Sequence, residues 1–429
     1  MNTKPKAADR LPVSAEHVED AASRLEGVAK RTPVQRLERL SEELGIPVYV
    51  KREDLQPSRS FKLRGAYNRV SRLSESERAR GVVCASAGNH AQGVALACAE
   101  LGIKGTIYLP SSTPRQKRDR IDSLGKGSVE MVFVDGTFNE TQQRAQEAAK
   151  ELDQVYIHPY DDAAVIAGQG TIAKEISEQL GDELGTVIVP MGGGGLIAGM
   201  AVWLKKRRPD VKIIGVDPEG AASIKAALDE GKPVELSRID GFVDGTAVSK
   251  VGDLTFEIIR ELVDQVVVVP EGAVGREMLD LYHVDGIISE PAGALSSAAL
   301  SMAAKGELSD LDLRGSVVAL ISGGNNDLSR HGEVLERSLV YQGLRHYFLV
   351  SFPQRPGALR DFLDHVLGPN DDILYFEYTK KNSRETGPAL VGIDLQKAED
   401  IVGLRQRIAD SDLHIDEIDV DSELMRFLI

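Results

Sequence analysis

Residues 186–199 read TVIVPMGGGGLIAG, and the order of residue types within them decides the class of fold. The run from Thr186 to Pro190 is rich in β-branched residues and reads as a strand buried on both faces, as strands of parallel sheets are. An apolar helix starts near Leu196, and Gly192 to Gly195 join the two elements. Four consecutive glycines cost roughly 1 kcal/mol each in backbone entropy, which makes sense only where side chains must be absent. A glycine turn leading into a helix N-terminus offers backbone N–H groups to an anion such as phosphate. The spacing matches a dinucleotide GxGxxG loop only loosely, and the nucleotide reading stays open because Asp217 ends the run KIIGVD.

The same alternation continues on both sides. VYVK (48–51), GVVCAS (81–86), GTIYLP (105–110), VEMVFV (129–134), KIIGVD (212–217) and VVALIS (317–322) read as further buried strands. Ala91 to Leu101, Phe138 to Leu152 and Leu196 to Arg208 carry apolar residues at helical spacing. The expectation is an α/β fold of open, mostly parallel sheets covered by helices. Ligands of such sheets bind beyond the carboxyl ends of the strands, so the loops there are the places to search.

Three more loops stand out. In SRSFKLRGA (58–66), Lys62 sits between Phe61 and Leu63 ahead of a helix. An amine that must attack an aldehyde has to be neutral, and desolvation by a neighbour such as Phe61 favours that form. Taken alone, Lys62 also reads as a solvated surface charge. SAGNHAQG (86–93) opens a helix, where small residues at Ala87 and Gly88 let a ligand approach the amides of Ser86 to His90. By itself it reads equally as a helix cap at Asn89 and a loop histidine at His90. SGGNND (322–327) follows an apolar strand, and Ser322 alone reads as its terminating turn. All four loops are expected at strand ends of one sheet, where they can converge.

From about Leu335 the texture changes. HYFLVSFPQRPGALRDFLDHVL begins a strand at Tyr347 to Phe352, a turn at Pro356 and Gly357, and a helix to Leu367. Strands at 373–378 and 389–395, a helix at 398–409 and an acidic end complete a βαββαβ-like unit of α+β type. Two domains are expected: 1–335, built of two α/β subdomains, and 336–429.

The 51 Lys+Arg against 66 Asp+Glu give a net charge of -15, which repels nucleic acid and anionic membrane surfaces. Cys84 and Cys98 lie in apolar contexts without metal-ligand spacing and read as buried thiols. No long apolar run appears, and residues 1–12, MNTKPKAADRLP, lack a hydrophobic signal core. The cytoplasm is the expected compartment.

Lys62 in SFKLRGA, Asn89 in SAGNHAQG, the tetraglycine loop and Ser322 in SGGN together resemble the fold-type II (tryptophan synthase β-like) pyridoxal-phosphate enzymes, and most closely the biosynthetic threonine dehydratases. DGTAV (244–248) and SEPAGA (289–294) match stretches typical of that family. The resemblance runs from about Thr32 through the C-terminal unit.

It implies that Lys62 carries pyridoxal 5'-phosphate as a Schiff base and, when freed, takes the substrate's Cα proton. Phe61 flanks the cofactor, Gly192, Gly193, Gly194, Gly195 and Leu196 hold its phosphate, Asn89 bonds the ring 3-hydroxyl, and Ser322 faces the pyridine nitrogen. A neutral hydroxyl at that nitrogen makes the ring a weaker electron sink, which suits β-elimination. The substrate carboxylate rests on Ser86, Ala87, Gly88, Asn89 and His90. The implied reaction turns L-threonine, with L-serine as a further candidate, into 2-oxobutanoate and ammonia, the first step towards isoleucine. No catalytic metal is implied, and a structural cation near Asp217 and Ala221 is left open. Ala87 stands where related serine racemases carry a second serine, so racemisation is disfavoured.

The C-terminal unit resembles a single ACT-like regulatory domain that binds isoleucine or valine, with a pure subunit-contact role as the alternative. The assembly expected from the resemblance is a homotetramer. A serine dehydratase, a β-replacement synthase of the cysteine-synthase type and a non-catalytic amino-acid sensor are the competing readings.

Overall fold

The computed structural model describes residues 11–380, 385–420 and 422–428. Residues 1–10, most of the stretch read as lacking a signal core, lie outside them. The chain divides into two compact units, Met1–Asp327 and Leu328–Ile429.

In chain order the described strands of the first unit are β1 (Val34–Arg36), β2 (Val48–Arg52), β3 (Val82–Ala85), β4 (Gly105–Pro110), β5 (Val129–Val134), β6 (Val155–Tyr156), β7 (Leu184–Pro190), β8 (Lys212–Pro218), β9 (Gln265–Val269) and β10 (Ser316–Ile321). They form a six-stranded sheet ordered β1-β2-β10-β7-β8-β9 and a four-stranded sheet ordered β5-β4-β3-β6. Every pairing is parallel except β1 with β2. Strands β3 and β10 are buried at every position, as continuous apolar runs under helices on both faces should be. Val187, Val189, Val318 and Leu320 join Ile197, Ala201 and Ile166 in one core cluster.

The expectation that all four loops end strands of one sheet is corrected here. The loop 86–88 follows β3 in the small sheet, whereas Gly192 and Ser322 follow the neighbouring strands β7 and β10 of the large sheet. The reason is the pairing: β3 hydrogen-bonds to β4 and β6, so the chain starts a second sheet after the Lys62–Ser71 helix.

That helix is held by close backbone approach. A Cβ on Gly93 would lie 3.0 Å from the Lys62 carbonyl carbon, and one on Gly168 would lie 2.6 Å from the Arg64 oxygen. Two neighbouring helices therefore touch it where they have no side chain, which fixes where Lys62 begins the first turn.

In the second unit β11 (Arg345–Pro353), β12 (Asp372–Tyr378), β13 (Thr386–Asp394) and β14 (His414–Glu417) form an antiparallel sheet ordered β12-β13-β11-β14. With the helices Ala358–His365 and Asp400–Asp410 this gives β-α-β-β-α-β. Phe348, Val350, Phe362, Val391, Ile393 and Leu404 make its core.

Candidate active site

The site begins at the segment before Lys62. Ser60 bridges to Gly323, and the Phe61 amide donates to the Ser322 carbonyl (3.1 Å). The SFK and SGGN motifs, far apart in sequence, are thus stitched together by main chain. Lys62 is half-buried; its Nζ lies 3.1 Å from the Pro159 carbonyl and 5.2 Å from the centre of the Phe61 ring. Burial lowers the amine to about 8, against a pull upward from Glu290, so a substantial neutral fraction exists near neutral pH. Two residues on, Arg64 is buried and forms ion pairs with Glu53 (2.8 Å) and Glu175 (2.6 Å), and Glu175 also accepts from buried Lys51 (2.6 Å). Removing one partner of such a network leaves a buried charge uncompensated, which costs about 3–5 kcal/mol.

The glycine loop supplies the second part. Gly192, Gly193, Gly194, Gly195 and Leu196 are buried, and none of their amides has an acceptor among the described residues. Buried backbone N–H groups are nearly always paired, so a row of five without acceptors marks a place for an anion. The glycines themselves have a reason the sequence hides. A Cβ on Gly192 would lie 2.8 Å from Thr246 main chain, one on Gly193 would enter the Tyr160 ring, and one on Gly195 would lie 2.8 Å from the Tyr160 oxygen. Gly194 has φ +87°, and its Cβ would meet Ile259 at 2.7 Å. The absent side chains make way for protein walls and leave the amides bare.

The third part is the loop after β3. A Cβ on Gly88 would meet nothing within 4 Å, so that backbone borders open space. The Gly88 amide donates to Ser86 Oγ (3.1 Å), while the amides of Ala87, Asn89 and His90 have no acceptor among the described residues. The His90 ring points away into the core, where Nε2 is 2.8 Å from the Ile157 oxygen and burial lowers the ring to about 3. Only its main chain is available to a ligand. Asn89 donates from Nδ2 to Glu290 Oε1 (2.6 Å) and accepts at Oδ1 from Asn325 Nδ2 (2.7 Å). Ser322 is buried, and its Oγ donates to the Ala292 carbonyl (3.1 Å).

Three features escape the sequence reading. Glu290, inside the quoted SEPAGA, is a buried carboxyl raised to about 7 by burial and by nearby Asp244. Asn325, inside SGGNND, joins Asn89 to the Ser58 carbonyl (2.9 Å). The segment HPYDD (158–162) is a hub: Pro159 meets Lys62, Tyr160 backs the glycine loop, Asp161 accepts from the Leu254 (3.0 Å) and Thr255 (3.1 Å) amides, and Asp162 caps the Ala163–Leu180 helix. Its signal, two adjacent carboxylates before a small-residue helix, is a cap signature that says nothing about a ligand.

An amine with a lowered pKa, a bed of unpaired amides and a second amide-lined loop fit a phosphorylated aldehyde whose tail and substrate both carry negative charge. The class follows: a family model described as "Pyridoxal-phosphate dependent enzyme" matches residues 25–323, and the chain belongs to that family. A second model, "C-terminal regulatory domain of Threonine dehydratase", matches residues 336–428. The biosynthetic L-threonine dehydratase IlvA of Mycobacterium tuberculosis is 50% identical over 431 residues, covering 100% of this chain and 99% of the relative. That of Bacillus subtilis is 47% identical over 427 residues, covering 99% and 100%. Within the pyridoxal-phosphate enzymes the chain is therefore a member of the biosynthetic threonine dehydratase family. Among solved structures, the processed form of threonine deaminase isoform 2 from Solanum lycopersicum is 42% identical with TM-score 0.71, over 75% of this chain and 92% of that one. Maize serine racemase is 30% identical with TM-score 0.70, over 77% and 98%.

Proposed function

We propose that this chain deaminates L-threonine to 2-oxobutanoate and ammonia, using pyridoxal phosphate. The observation that carries the reading is the Lys62 amine, lowered to about 8 and held on the Pro159 carbonyl, next to Tyr160, which backs a loop of five buried amides that lack acceptors. Lys62 holds the cofactor's aldehyde carbon, the amides of Gly192 to Leu196 hold its phosphate, and Asn89 and Ser322 hold its ring. Bound there, the cofactor supplies an electron sink for the substrate's Cα bond. Ser322, an uncharged hydroxyl at the ring nitrogen, keeps that sink modest and favours elimination. The amides of Ala87, Asn89 and His90, at a helix N-terminus, orient the substrate carboxylate. Lys62 Nζ takes the Cα proton, and the Pro159 carbonyl holds that amine in place by accepting from it. The β-hydroxyl leaves as water with the proton that Lys62 has taken up, and a water molecule hydrolyses the released enamine to 2-oxobutanoate and ammonia.

Ala87 offers no hydroxyl as a second base, so proton return to the opposite face is unsupported and racemisation is minor. The reading takes isoleucine or valine as effectors of the second unit, L-serine as a further candidate substrate, a homotetramer as the assembly and the cytoplasm as the compartment. No helix among the described residues is long and apolar enough to cross a membrane. Incubation of the purified protein with L-threonine should yield 2-oxobutanoate. No product, or a strict need for a second nucleophilic substrate, would sink the assignment.

A further inference from the structure

The side chain of Asn89 ends in an oxygen that accepts and a nitrogen that donates, so its partners decide which way it faces. A backbone carbonyl can only accept, so the atom of Asn325 that lies 2.9 Å from the Ser58 oxygen is the nitrogen, Nδ2. That same Nδ2 lies 2.7 Å from Asn89, so the Asn89 atom facing it is the acceptor, Oδ1. Asn89 Nδ2 is left on the other side, where one hydrogen goes to Glu290 Oε1 (2.6 Å). Its second hydrogen has no acceptor among the described residues.

From this relay we infer that Asn325 is a positioning residue which, anchored on the Ser58 carbonyl, fixes Asn89 as a hydrogen-bond donor towards the cofactor's ring oxygen. The inference rests on the proposed role of Asn89 and adds its polarity and the residue that sets it. A donor at that oxygen favours the anionic phenolate over the phenol, because an N–H stabilises negative charge and cannot accept a proton. Glu290 completes the clamp by holding the amide plane from the other side. Gly323 lets it come close, since a Cβ there would collide with Glu290 Oε1. The relay joins the segment before Lys62, the loop after β3 and the loop after β10, the three segments that carry Lys62, Asn89 and Ser322.

Replacing Asn325 with Asp puts acceptors against both the Ser58 carbonyl and Asn89 Oδ1. The Asn89 amide then turns over, so that its oxygen meets a protonated Glu290 carboxyl and faces the cofactor. The test measures pyridoxal-phosphate affinity, by titrating the stripped full-length protein, together with the pH dependence of the bound cofactor's visible absorbance. N325D is expected to weaken affinity by about tenfold, the scale of one lost hydrogen bond turned into a repulsion, and to move the absorbance pH profile upward. In an N89A background the same change should alter affinity by less than about twofold, because a positioning residue acts only through its target. N325A, which removes the donor without adding charge, serves where N325D fails to fold, with the same direction and a smaller shift.

An equal loss in both backgrounds, or an unchanged profile in N325D and N325A, would overturn the inference. Lys62→Ala separates the two levels. If wild type shows a visible band that Lys62→Ala lacks, the cofactor reading stands whatever Asn325 does. If wild type binds no cofactor, that reading fails first.

Discussion

The two units bury their sheets in opposite ways. In the first, β3 and β10 are buried at every position and all but one strand pairing is parallel. In the second, the sheet is antiparallel, β13 alternates between exposed and buried along its first half, and the edge strand β12 is exposed at six of seven positions. A parallel sheet covered on both faces leaves only its strand ends for chemistry, and the amine and unpaired amides lie there. An antiparallel sheet with one covered face has a face and an edge to offer, which suits binding and contact. The difference teaches that turnover and response should be separable by mutation.

The largest effect should come from the first unit. Lys62→Ala removes both the tether and the base, and turnover of L-threonine should fall on the order of a thousandfold or more, with the visible band gone. Residual turnover within tenfold of wild type would break the division of labour. Next is a change confined to the second unit. Phe362→Ala empties a core position that is 1% exposed and should destabilise that unit by about 3–5 kcal/mol in chemical denaturation. Effector response should go with it, while turnover without effector stays within about twofold. A matching collapse of basal turnover would show that the units depend on each other.

A smaller effect is expected at Gly194. Alanine there must adopt φ +87° and push against Ile259, costing about 1–2 kcal/mol in thermal stability and weakening cofactor binding. Smallest is a pH dependence. Lys62 is lowered to about 8 in the folded chain from its usual value near 10.5, so the neutral, nucleophilic amine grows as pH rises. The rate at which stripped protein links pyridoxal phosphate should increase about fivefold from pH 7 to pH 8 and level off above. A flat profile would mean that burial does not prepare the amine.

Much of this was legible in the sequence because the signals are local. A strand, a glycine turn and a helix are contiguous in 186–199, and so are β3 and the loop 86–93. The C-terminal β-α-β-β-α-β order was likewise written in successive periodicities. Strands β1, β6 and β9 were not read: two are three residues or shorter, and QVVVV at Gln265–Val269 lacks a distinctive loop. The clamp on Asn89 was invisible for a different reason. Glu290 and Asn325 reach it from 201 and 236 residues away, and no periodicity records which polar side chains a fold will bring together. The glycine loop was half legible, since the need for bare backbone showed but the walls Tyr160 and Thr246 did not.

The row of amides without acceptors has a consequence for supply. A ligand that meets those amides only in the folded chain adds its binding free energy to the folded state, so the vitamin-derived ligand acts on the folding equilibrium as well as on the reaction. Cells short of that vitamin would lose copies of this protein to proteolysis, and not merely the rate of each copy.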